Sequence, residues 1–369
     1  GNTAVRAGYA IMTQQPVSNI FSDLTTNPPF ATPFAAVGAI SLEAPPASTA
    51  AISPATIDPG YKNSYVQDWN LTIQREVTNT LGLQVGYIGQ HGVHLQQEKN
   101  LDQPAVAGGV FGTTAPFPNF SEIFDFTSDG VSSYNALWFT VKKQVSHGLQ
   151  FLASYTYSKS LDDSSLDTPN DLPQDSNNLR GEYGLSDFDA RNRLVASGFY
   201  SLPFKGNRLV SGWQFGFITT AQSGNPLTAF TLDSPFPGAT LRPNASAAVQ
   251  SGPSGVPGKV AAVQWIKNPG VLSSPCTGGV CSPGNLGRNT IVGPDFVDSD
   301  ISLIKDTKIN ERFTLQFRTE TFNIFNHPSF GDPNLNVGSA RFGLITSTRN
   351  PAGDFGSSRQ IQFSMELKF

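Results

Sequence analysis

The sequence ends in Arg359-Gln-Ile-Gln-Phe-Ser-Met-Glu-Leu-Lys-Phe369, an uninterrupted alternation of polar and apolar residues. Successive side chains of a β-strand point to opposite faces. One face therefore carries the apolar side chains of Ile361, Phe363, Met365, Leu367 and Phe369, and the other carries polar ones. A tilted strand of about ten residues is long enough to cross a bilayer. The stretch predicts a strand whose apolar face meets either a second sheet or lipid.

The same alternation recurs along the chain, which predicts about ten strands of this length. Before the last one, they lie near residues 1–11, 69–77, 81–87, 137–145, 149–157, 193–201, 209–219, 301–307 and 313–317.

The connections between these strands are alternately short and long. Short turns are predicted at 78–80, 146–148, 202–207 and 308–311, and long loops at 13–63, 89–132, 160–189, 222–296 and 326–357. The long loops are rich in Pro, Gly, Asn, Ser and Asp, as in Asn27-Pro-Pro-Phe30. A compact soluble domain rarely carries so many long loops on one side, whereas outer-membrane barrels combine short periplasmic turns with long extracellular loops. We therefore predict an all-β fold, an antiparallel transmembrane β-barrel segment.

The composition excludes several other classes of protein. Only 14% of the 369 residues are charged, which is a lower fraction than in soluble proteins. Aromatic residues make up 11%, whereas disordered chains are poor in them. No apolar run is long enough for a transmembrane helix, and a net charge of -4 gives no basic field for nucleic acid. No nucleophile elbow, Walker loop or zinc-protease motif occurs, so we predict no enzyme and no cofactor.

The N-terminus carries no signal peptide, since residues 1–11 resemble a strand. A barrel protein must cross the inner membrane, so we expect an upstream part to be missing and the chain to be a fragment.

Aromatic residues cluster where the predicted strands leave the membrane. Tyr and Trp favour the headgroup layer, so a girdle is predicted, with core packing of a soluble β protein as the alternative. The candidates are Tyr65, Trp69, Tyr134, Trp138, Tyr155, Tyr157, Tyr200 and Trp213.

Four further segments carry a family resemblance. They are Tyr65-Val-Gln-Asp-Trp-Asn-Leu-Thr-Ile-Gln-Arg-Glu76, Ser186-Asp-Phe-Asp-Ala-Arg-Asn-Arg-Leu194, Gly284-Asn-Leu-Gly-Arg-Asn289 and Glu320-Thr-Phe-Asn-Ile-Phe-Asn-His-Pro328. In this order they resemble the C-terminal barrel region of Oar-like TonB-dependent receptors, and the resemblance covers nearly the whole chain.

The resemblance implies a 22-stranded outer-membrane barrel that is filled by an N-terminal plug. It also implies a carboxypeptidase-regulatory-like domain that precedes the plug in the chain. It also implies coupling to the TonB complex through the plug. Neither the plug nor the preceding domain is visible in residues 1–369, so the chain is expected to be the C-terminal part of the barrel. About ten strands cannot close the native lumen. We therefore expect either an open curved sheet or an artificially small barrel.

The resemblance further implies that the last strand carries the signal read by the barrel-assembly machinery. The matching positions are Phe363, Met365, Leu367 and Phe369. An unpaired edge with a free end can be captured by strand pairing during insertion. A plain edge strand is the alternative.

Some residues could carry chemistry of their own. Cys276 and Cys281 favour a small loop disulfide over a metal site, because no further Cys or His lies nearby. Asp187, Asp189, Arg191 and Arg193 are predicted to form structural ion pairs at the rim or lumen wall.

Two weaker metal hypotheses remain. His91 and His94 could chelate a metal, although a solvated strand end is favoured. An acidic loop could bind calcium, but its spacing is not that of an EF-hand and a solvated loop is favoured. Its residues are Asp162, Asp163, Asp167, Asp171 and Asp175.

The leading functional hypothesis is ligand capture by extracellular loops and energised transport across a Gram-negative-type outer membrane. Its partners would be outer-membrane lipid, the barrel-assembly machinery, the TonB complex and an extracellular ligand that the sequence does not identify. The alternatives are a structural or adhesive barrel that does not transport and, more weakly, a secreted β-sandwich.

Overall fold

Ten long strands form one continuous antiparallel sheet in the computed structural model, and they are hydrogen-bonded in chain order. The strands are β1 (Thr3–Thr13), β2 (Tyr65–Thr78), β3 (Leu81–Asn100), β4 (Phe124–Ser146), β5 (Leu149–Asp162), β6 (Asn192–Ser201), β7 (Trp213–Gln222), β8 (Phe296–Lys308), β9 (Thr314–Phe322) and β10 (Gln360–Lys368). The structure describes residues 2–16, 18–29, 52–165, 172–234, 236, 240–255, 263–349 and 358–369. The predicted all-β antiparallel fold is confirmed.

The sheet is open. β1 pairs only with β2 and β10 only with β9 within the described residues, so the first and last strands are the two edges. Of the two forms expected from the sequence, the open sheet is the one observed.

The register places apolar side chains side by side on one face. Val5 lies opposite Ile73, Ile73 opposite Val85, Val85 opposite Phe139 and Phe139 opposite Tyr155. We call this the outward face. At the other edge of the sheet, the rings of Phe317 and Phe363 stack on the same face at 6.1 Å. The side chain of Phe363 is 66% exposed, and large apolar residues are exposed on every strand.

The hydrophobic clusters lie in the loop regions instead. The largest contains Leu227, Trp265, Ile266, Ile291 and Ile345, which belong to the β7–β8 and β9–β10 connections. A second joins Phe111, Phe236, Leu241 and Cys281, and a third joins Ile20, Ala55 and Phe126. A soluble sheet would bury its apolar face against another layer. This sheet leaves that face uncovered, as a lipid-facing wall requires.

The loops are built from short elements. The helical ones are an α-helix at Asn19–Asp23 and 3-10 turns at Leu24–Thr26, Leu179–Glu182 and Pro269–Val271. The short strands are Ala55–Ile57, Val106–Ala107, Val110–Phe111, Gly184–Leu185, Pro226–Leu227, Asn244–Ala245, Ser251–Gly255, Val263–Ile266, Leu272–Ser273, Cys276–Thr277, Val280–Cys281, Ile291–Val292 and Leu344–Ile345. None of the helices in the described ranges has the length and apolarity needed to span a bilayer.

The predicted long loop at 89–132 is wrong. β3 and β4 continue as a paired hairpin to Asn100 and Phe124, so their connection is only 101–123. The extension interrupts its register near His94, which has a φ of 57°, and it carries Gln97, Glu98 and Lys99. These residues are polar, and Gln97 and Glu98 are buried, so the segment lacks the apolar alternation that reveals a membrane strand.

The predicted start of a strand at Leu209 is also wrong, because the connection between β6 and β7 spans 202–212. The side chain and carbonyl of Asn207 accept hydrogen bonds from the amides of Leu209, Val210 and Ser211 at 3.1 Å. This local capping bends the chain where the apolar pattern predicted extension.

Two of the predicted girdle residues lie on the other face. Leu137 and Phe139 are outward, so Tyr134 and Trp138 point inward by alternation. Trp138 packs over Gly86 of the neighbouring strand, where an added Cβ would lie 2.5 Å from the ring. Tyr65, Trp69, Tyr155, Tyr157, Tyr200 and Trp213 share the outward face.

Candidate ligand-binding site in the loops

The long connections meet at one end of the sheet. They are residues 14–64, 101–123, 163–191, 223–295 and 323–359, and each follows a strand that runs in the same direction. The short connections lie at the opposite end. Any site formed by several loops is therefore at the end that faces the exterior in an outer-membrane barrel.

Gln174 joins two of these loops. Its side-chain oxygen accepts the backbone N–H groups of Arg242 at 3.1 Å and Gly284 at 3.2 Å, and its side-chain amide donates to the Gly284 carbonyl at 3.0 Å. Its own carbonyl accepts from the side chain of Gln103 at 2.8 Å. One buried amide thus holds the β5–β6 and β7–β8 connections together and attaches the β3–β4 connection to them.

Arg242 and Glu182 form a buried ion pair between the same two loops, with side chains 7% and 6% exposed. Arg242 also donates to the carbonyls of Leu286 at 2.8 Å and Gly181 at 3.1 Å. A buried guanidinium is tolerated only when its donors are paired. The two loops are consequently fixed relative to each other by charge and hydrogen bonding.

Arg288 makes a second link between these loops. Its guanidinium donates to the Glu182 carbonyl at 2.8 Å and to the Asp162 carbonyl at 2.6 Å. It also pairs with the carboxylates of Asp162 and, at 3.5 Å, Asp187.

Asn289 extends this network. Its side-chain amide donates to the Leu185 carbonyl at 2.7 Å and to the carboxylate of Asp187. Its oxygen accepts from the Thr228 hydroxyl at 2.7 Å.

A cavity of about 640 Å³ lies between these groups. This volume falls in the range of small-molecule sites, which combine apolar walls with a few convergent polar groups. The polar lining comprises Gln174, Glu182, Asp187, Asn225, Thr228, Thr240, Arg242, Arg288, Asn289 and Asp332, and the apolar lining Leu172, Pro226, Leu227, Phe230 and Leu335. We call it the loop cavity.

The segment Gly284-Asn-Leu-Gly-Arg-Asn289 forms one side of the network. An added Cβ on Gly284 would lie 1.7 Å from the Arg242 carbonyl oxygen, so only glycine permits this approach. Asn285 accepts the Ala245 amide at 2.6 Å, and Leu286 is buried in the largest hydrophobic cluster. Arg288 and Asn289 then reach the cavity.

Asp163 lies next to this network at the end of β5. Burial raises the pKa of its carboxyl group from 3.8 to about 6, although the Val131 amide donates to its oxygens at 3.0 and 3.1 Å and favours the charged form. The neighbouring Asp162 raises the pKa further and Arg288 lowers it. Asp163 is therefore a loop carboxyl group that changes charge near pH 6.

The four charged residues predicted to form ion pairs at the rim or lumen wall have different partners. Asp189 and Arg191 are 3.5 Å apart at the loop end of the sheet, and Asp189 also accepts the Ser160 amide at 2.6 Å. Asp187 instead pairs with Arg288 of another loop. Arg193 lies on the inward face of β6 and forms no ion pair within the described residues. Three of the four residues thus form ion pairs at the loop end of the sheet, and the structural role predicted for them stays a prediction.

Cys276 and Cys281 are joined by a disulfide that closes a small hairpin in the β7–β8 connection. His91 and His94 do not converge. Their Nδ1 atoms lie 2.9 Å from the Ser132 carbonyl and 3.4 Å from the Ser128 carbonyl, respectively.

Of the acidic loop, Asp167 and Asp171 lie outside the described residues. Asp162 pairs with Arg288, and Asp175 accepts the Asn177 amide at 3.0 Å. No group of three metal-binding side chains occurs in the described part of the chain.

The candidate assembly residues lie on β10. Phe363, Met365 and Leu367 are outward and more than half of the surface of Phe363 and Met365 is exposed, while Phe369 follows the strand end. One side of β10 pairs with β9 and the other is an unpaired edge among the described residues.

Sequence reasoning did not identify Gln174, Glu182 and Arg242. They lie in irregular segments and pair across 60 or more positions, so no periodic pattern marks them. The only sequence signals were the isolated charge of Arg242 among apolar and proline residues and the motif that contains Arg288.

The fold and its loop site define a class, the outer-membrane β-barrel. Residues 1–362 match the family model described as outer membrane beta barrel domain, so the chain belongs to this family, and its location is the outer membrane. No curated protein sequence matches it.

The solved structures agree with the fold. The outer membrane transporter YddB from Escherichia coli is similar over 100% of this chain and 39% of its own, with 9% identity and a TM-score of 0.53. The ferric pyoverdine complex of FpvA from Pseudomonas aeruginosa matches over 98% of this chain and 30% of its own, with 12% identity and a TM-score of 0.47. The chain thus spans well under half the length of these neighbours. The predicted outer-membrane barrel fold is confirmed by the family match and by this likeness to an outer membrane transporter.

Proposed function

We propose that residues 1–369 are the C-terminal part of the barrel of an Oar-like, TonB-dependent receptor, which captures a ligand in its extracellular loops and transports it across the outer membrane. The observation that supports this proposal best is the loop cavity. It lies at the exterior end of a lipid-facing wall. The β5–β6 and β7–β8 connections, which a buried ion pair and the Gln174 amide hold together, form it with Asp332 and Leu335 of the β9–β10 connection.

The loop cavity suits recognition of a polar ligand. The Arg242 and Arg288 guanidinium groups, three amide side chains and three carboxylates line it beside Leu227 and Phe230. Because internal hydrogen bonds already orient these groups, a ligand would meet a preorganised site, which lowers the entropic cost of binding.

The inward face of the sheet supports the proposal that a plug fills the lumen. Leu152 and Ile218 lie in one row across neighbouring strands with Ser197, and Phe199 lies beside them. All three apolar side chains are exposed inward, with Ile218 at 56%. A purely water-filled channel would favour polar groups there. The patch is consistent with contact to a plug, through which TonB would act.

The test compares depletion of compounds from the growth medium by three strains: wild type, a deletion of the full gene and a tonB deletion. Transport predicts at least one compound that wild type depletes and neither deletion does. Complementation with Arg288→Ala should slow this depletion, whereas Arg193→Ala on the inward wall should not. If both deletion strains deplete every compound as wild type does, the transport proposal fails.

A non-transporting adhesive barrel is the second candidate. It is favoured by apolar loop side chains that are strongly exposed, such as Phe325 at 77% and Leu232 at 71%. Adhesion predicts that the full-gene deletion loses surface attachment while the tonB deletion keeps it.

A further inference from the structure

The β6–β7 connection, residues 202–212, is the longest of the four short connections at its end of the sheet. The other three are residues 79–80, 147–148 and 309–313. It exposes Leu209 at 78%, together with Phe204 and Val210. Lys205 and Arg208 are exposed beside them.

Two contacts fold this connection towards the outward face. The indole N–H of Trp213 donates to the Leu209 carbonyl at 3.1 Å, and the Lys305 ammonium donates to the Arg208 carbonyl at 2.8 Å and to the Ser211 carbonyl. Trp213 and Lys305 lie opposite each other in the row that also contains outward-facing Phe317. The exposed apolar side chains therefore lie at the rim of the lipid-facing surface and not at the mouth of the lumen.

The connection is also fixed in shape. Asn207 caps the turn through its side chain and carbonyl, and Lys305 satisfies its ammonium with three backbone carbonyls while lying 5.7 Å from the Trp213 ring centre. The apolar side chains are thus presented by a rigid turn, so their exposure is not that of a loose loop.

The charge at this end is complementary to an anionic surface. Lys205 and Arg208 form no ion pair in the described ranges. Lys308 ends the neighbouring β8, and the β8–β9 connection carries Arg312 together with Glu311. At the loop end, by contrast, the carboxylates of Asp162, Asp187 and Glu182 are paired with the guanidinium groups of Arg242 and Arg288. A segment that binds anionic lipid usually combines basic side chains with apolar side chains that enter the membrane at the headgroup boundary.

We propose that the β6–β7 connection is a membrane anchor, which inserts Leu209, Val210 and Phe204 at the boundary of the periplasmic leaflet and binds the phosphate of an anionic phospholipid through Lys205 and Arg208. The proposal rests on the orientation proposed above, in which the short connections face the periplasm. Continuity with the lipid-facing wall identifies phospholipid as the occupant.

The test uses the full protein in lipid nanodiscs in which a minor lipid is brominated, either phosphatidylglycerol or phosphatidylcholine. Bromine quenches nearby tryptophan, and Trp213 contacts the connection. We expect stronger quenching by the anionic lipid, corresponding to enrichment of roughly fivefold per basic side chain. The double variant Lys205→Gln/Arg208→Gln should remove the preference, and Lys142→Gln, at the same end of the sheet, should keep it.

Equal quenching by the two lipids in the wild type, or a preference that survives in the double variant, would overturn the anchor. Loss of the preference on addition of inorganic phosphate, but not of chloride at equal ionic strength, would instead indicate a site for free phosphate and also overturn it. The readout needs no transported ligand, so a failure of the transport proposal leaves it unaffected. Labelling of Lys205→Cys by an impermeant maleimide in intact cells would show that the orientation itself is wrong.

Discussion

At the scale of single residues, the loop site depends on charges that are almost removed from water. Arg242 and Glu182 lie in different loops, and each makes further hydrogen bonds to backbone groups. Taking one charge away leaves the other buried without its partner, which costs more than removing both.

We expect Arg242→Met to lower the free energy of opening of the β5–β6 loop by about 3–5 kcal/mol, because Glu182 then remains buried and unpaired. Amide hydrogen exchange of residues 174–186 measures this. Arg242→Met/Glu182→Leu should recover much of the loss, and exposed Arg180→Met should have little effect. A double variant as unstable as the single one would contradict the argument.

The carboxyl group of Asp163 makes loop stability depend on pH. Its pKa of about 6 exceeds the ordinary value of 3.8, so between these values the folded loop holds a proton that the unfolded loop does not. The free energy of unfolding therefore falls as the pH rises from about 4 to about 6 and is constant above that range.

Asp163→Asn should flatten this dependence and stabilise the loop at pH 7, since an amide oxygen can still accept the Val131 N–H. The measurement is the protection of the Val131 amide against exchange, corrected for the intrinsic pH effect. Asp129→Asn, at a mostly exposed side chain, is the control. An unchanged pH profile in Asp163→Asn would rule out this carboxyl group as the cause.

At the scale of elements, the strands are what the sequence predicted best. Alternation located all ten, because lipid on one side and water on the other impose a period of two on every membrane strand. The errors lie where this alternation is interrupted. The β3–β4 extension carries buried polar residues such as Gln97 and Glu98, and in residues 202–212 hydrogen bonds to Asn207 bend a chain whose apolar pattern predicted a strand.

The loop site could not be predicted in the same way. Gln174 and Gly284 are 110 positions apart, and their contact depends on how irregular segments fold. The isolated charge of Arg242 and the short motif from Gly284 to Asn289 were the sequence signals in this part of the chain, and neither indicated which residues Arg242 and Arg288 would contact.

Two glycines of β3 allow the packing of Trp138 against this strand to be tested. Gly86 faces the Trp138 ring, whereas the nearest atom to a Cβ on Gly82 is the Lys142 carbonyl oxygen at 4.0 Å. Gly86→Ala should therefore displace the indole, cost about 1–3 kcal/mol and shift tryptophan emission. Gly82→Ala should do neither. If both variants behaved alike in unfolding and emission, the inward packing of Trp138 would be disproved.

The proposed assembly signal is a property of β10. Phe369→Ala in the full protein should reduce the heat-modifiable, folded band in outer-membrane fractions, because capture of the strand end is weakened. Lys368→Ala, on the opposite face, should leave the band intact. Equal amounts of folded protein in both variants would favour a plain edge strand.

At the scale of the whole molecule, the central feature is which side of the sheet meets lipid. Phe217 and Ile218 are adjacent in β7, so they lie near the same depth on opposite faces. Both are apolar, and their identity alone therefore does not distinguish the two faces.

Phe217→Lys should cost about 2–4 kcal/mol and lower the yield of inserted protein, since it places a charge against the hydrocarbon core. Ile218→Lys should insert normally because its ammonium remains on the inward face. Insertion into vesicles, followed by heat-modifiable mobility, measures both. The reverse order of yields would exchange the two faces.

The hydrophobic clusters lie in the loop regions, while the wall leaves its apolar face to lipid. One set of apolar residues thus packs inside the loops, and a separate set faces lipid on the wall. Selection can exchange the residues around the loop cavity without disturbing the alternation that inserts the wall. The loops can therefore diverge in sequence on an unchanged membrane scaffold.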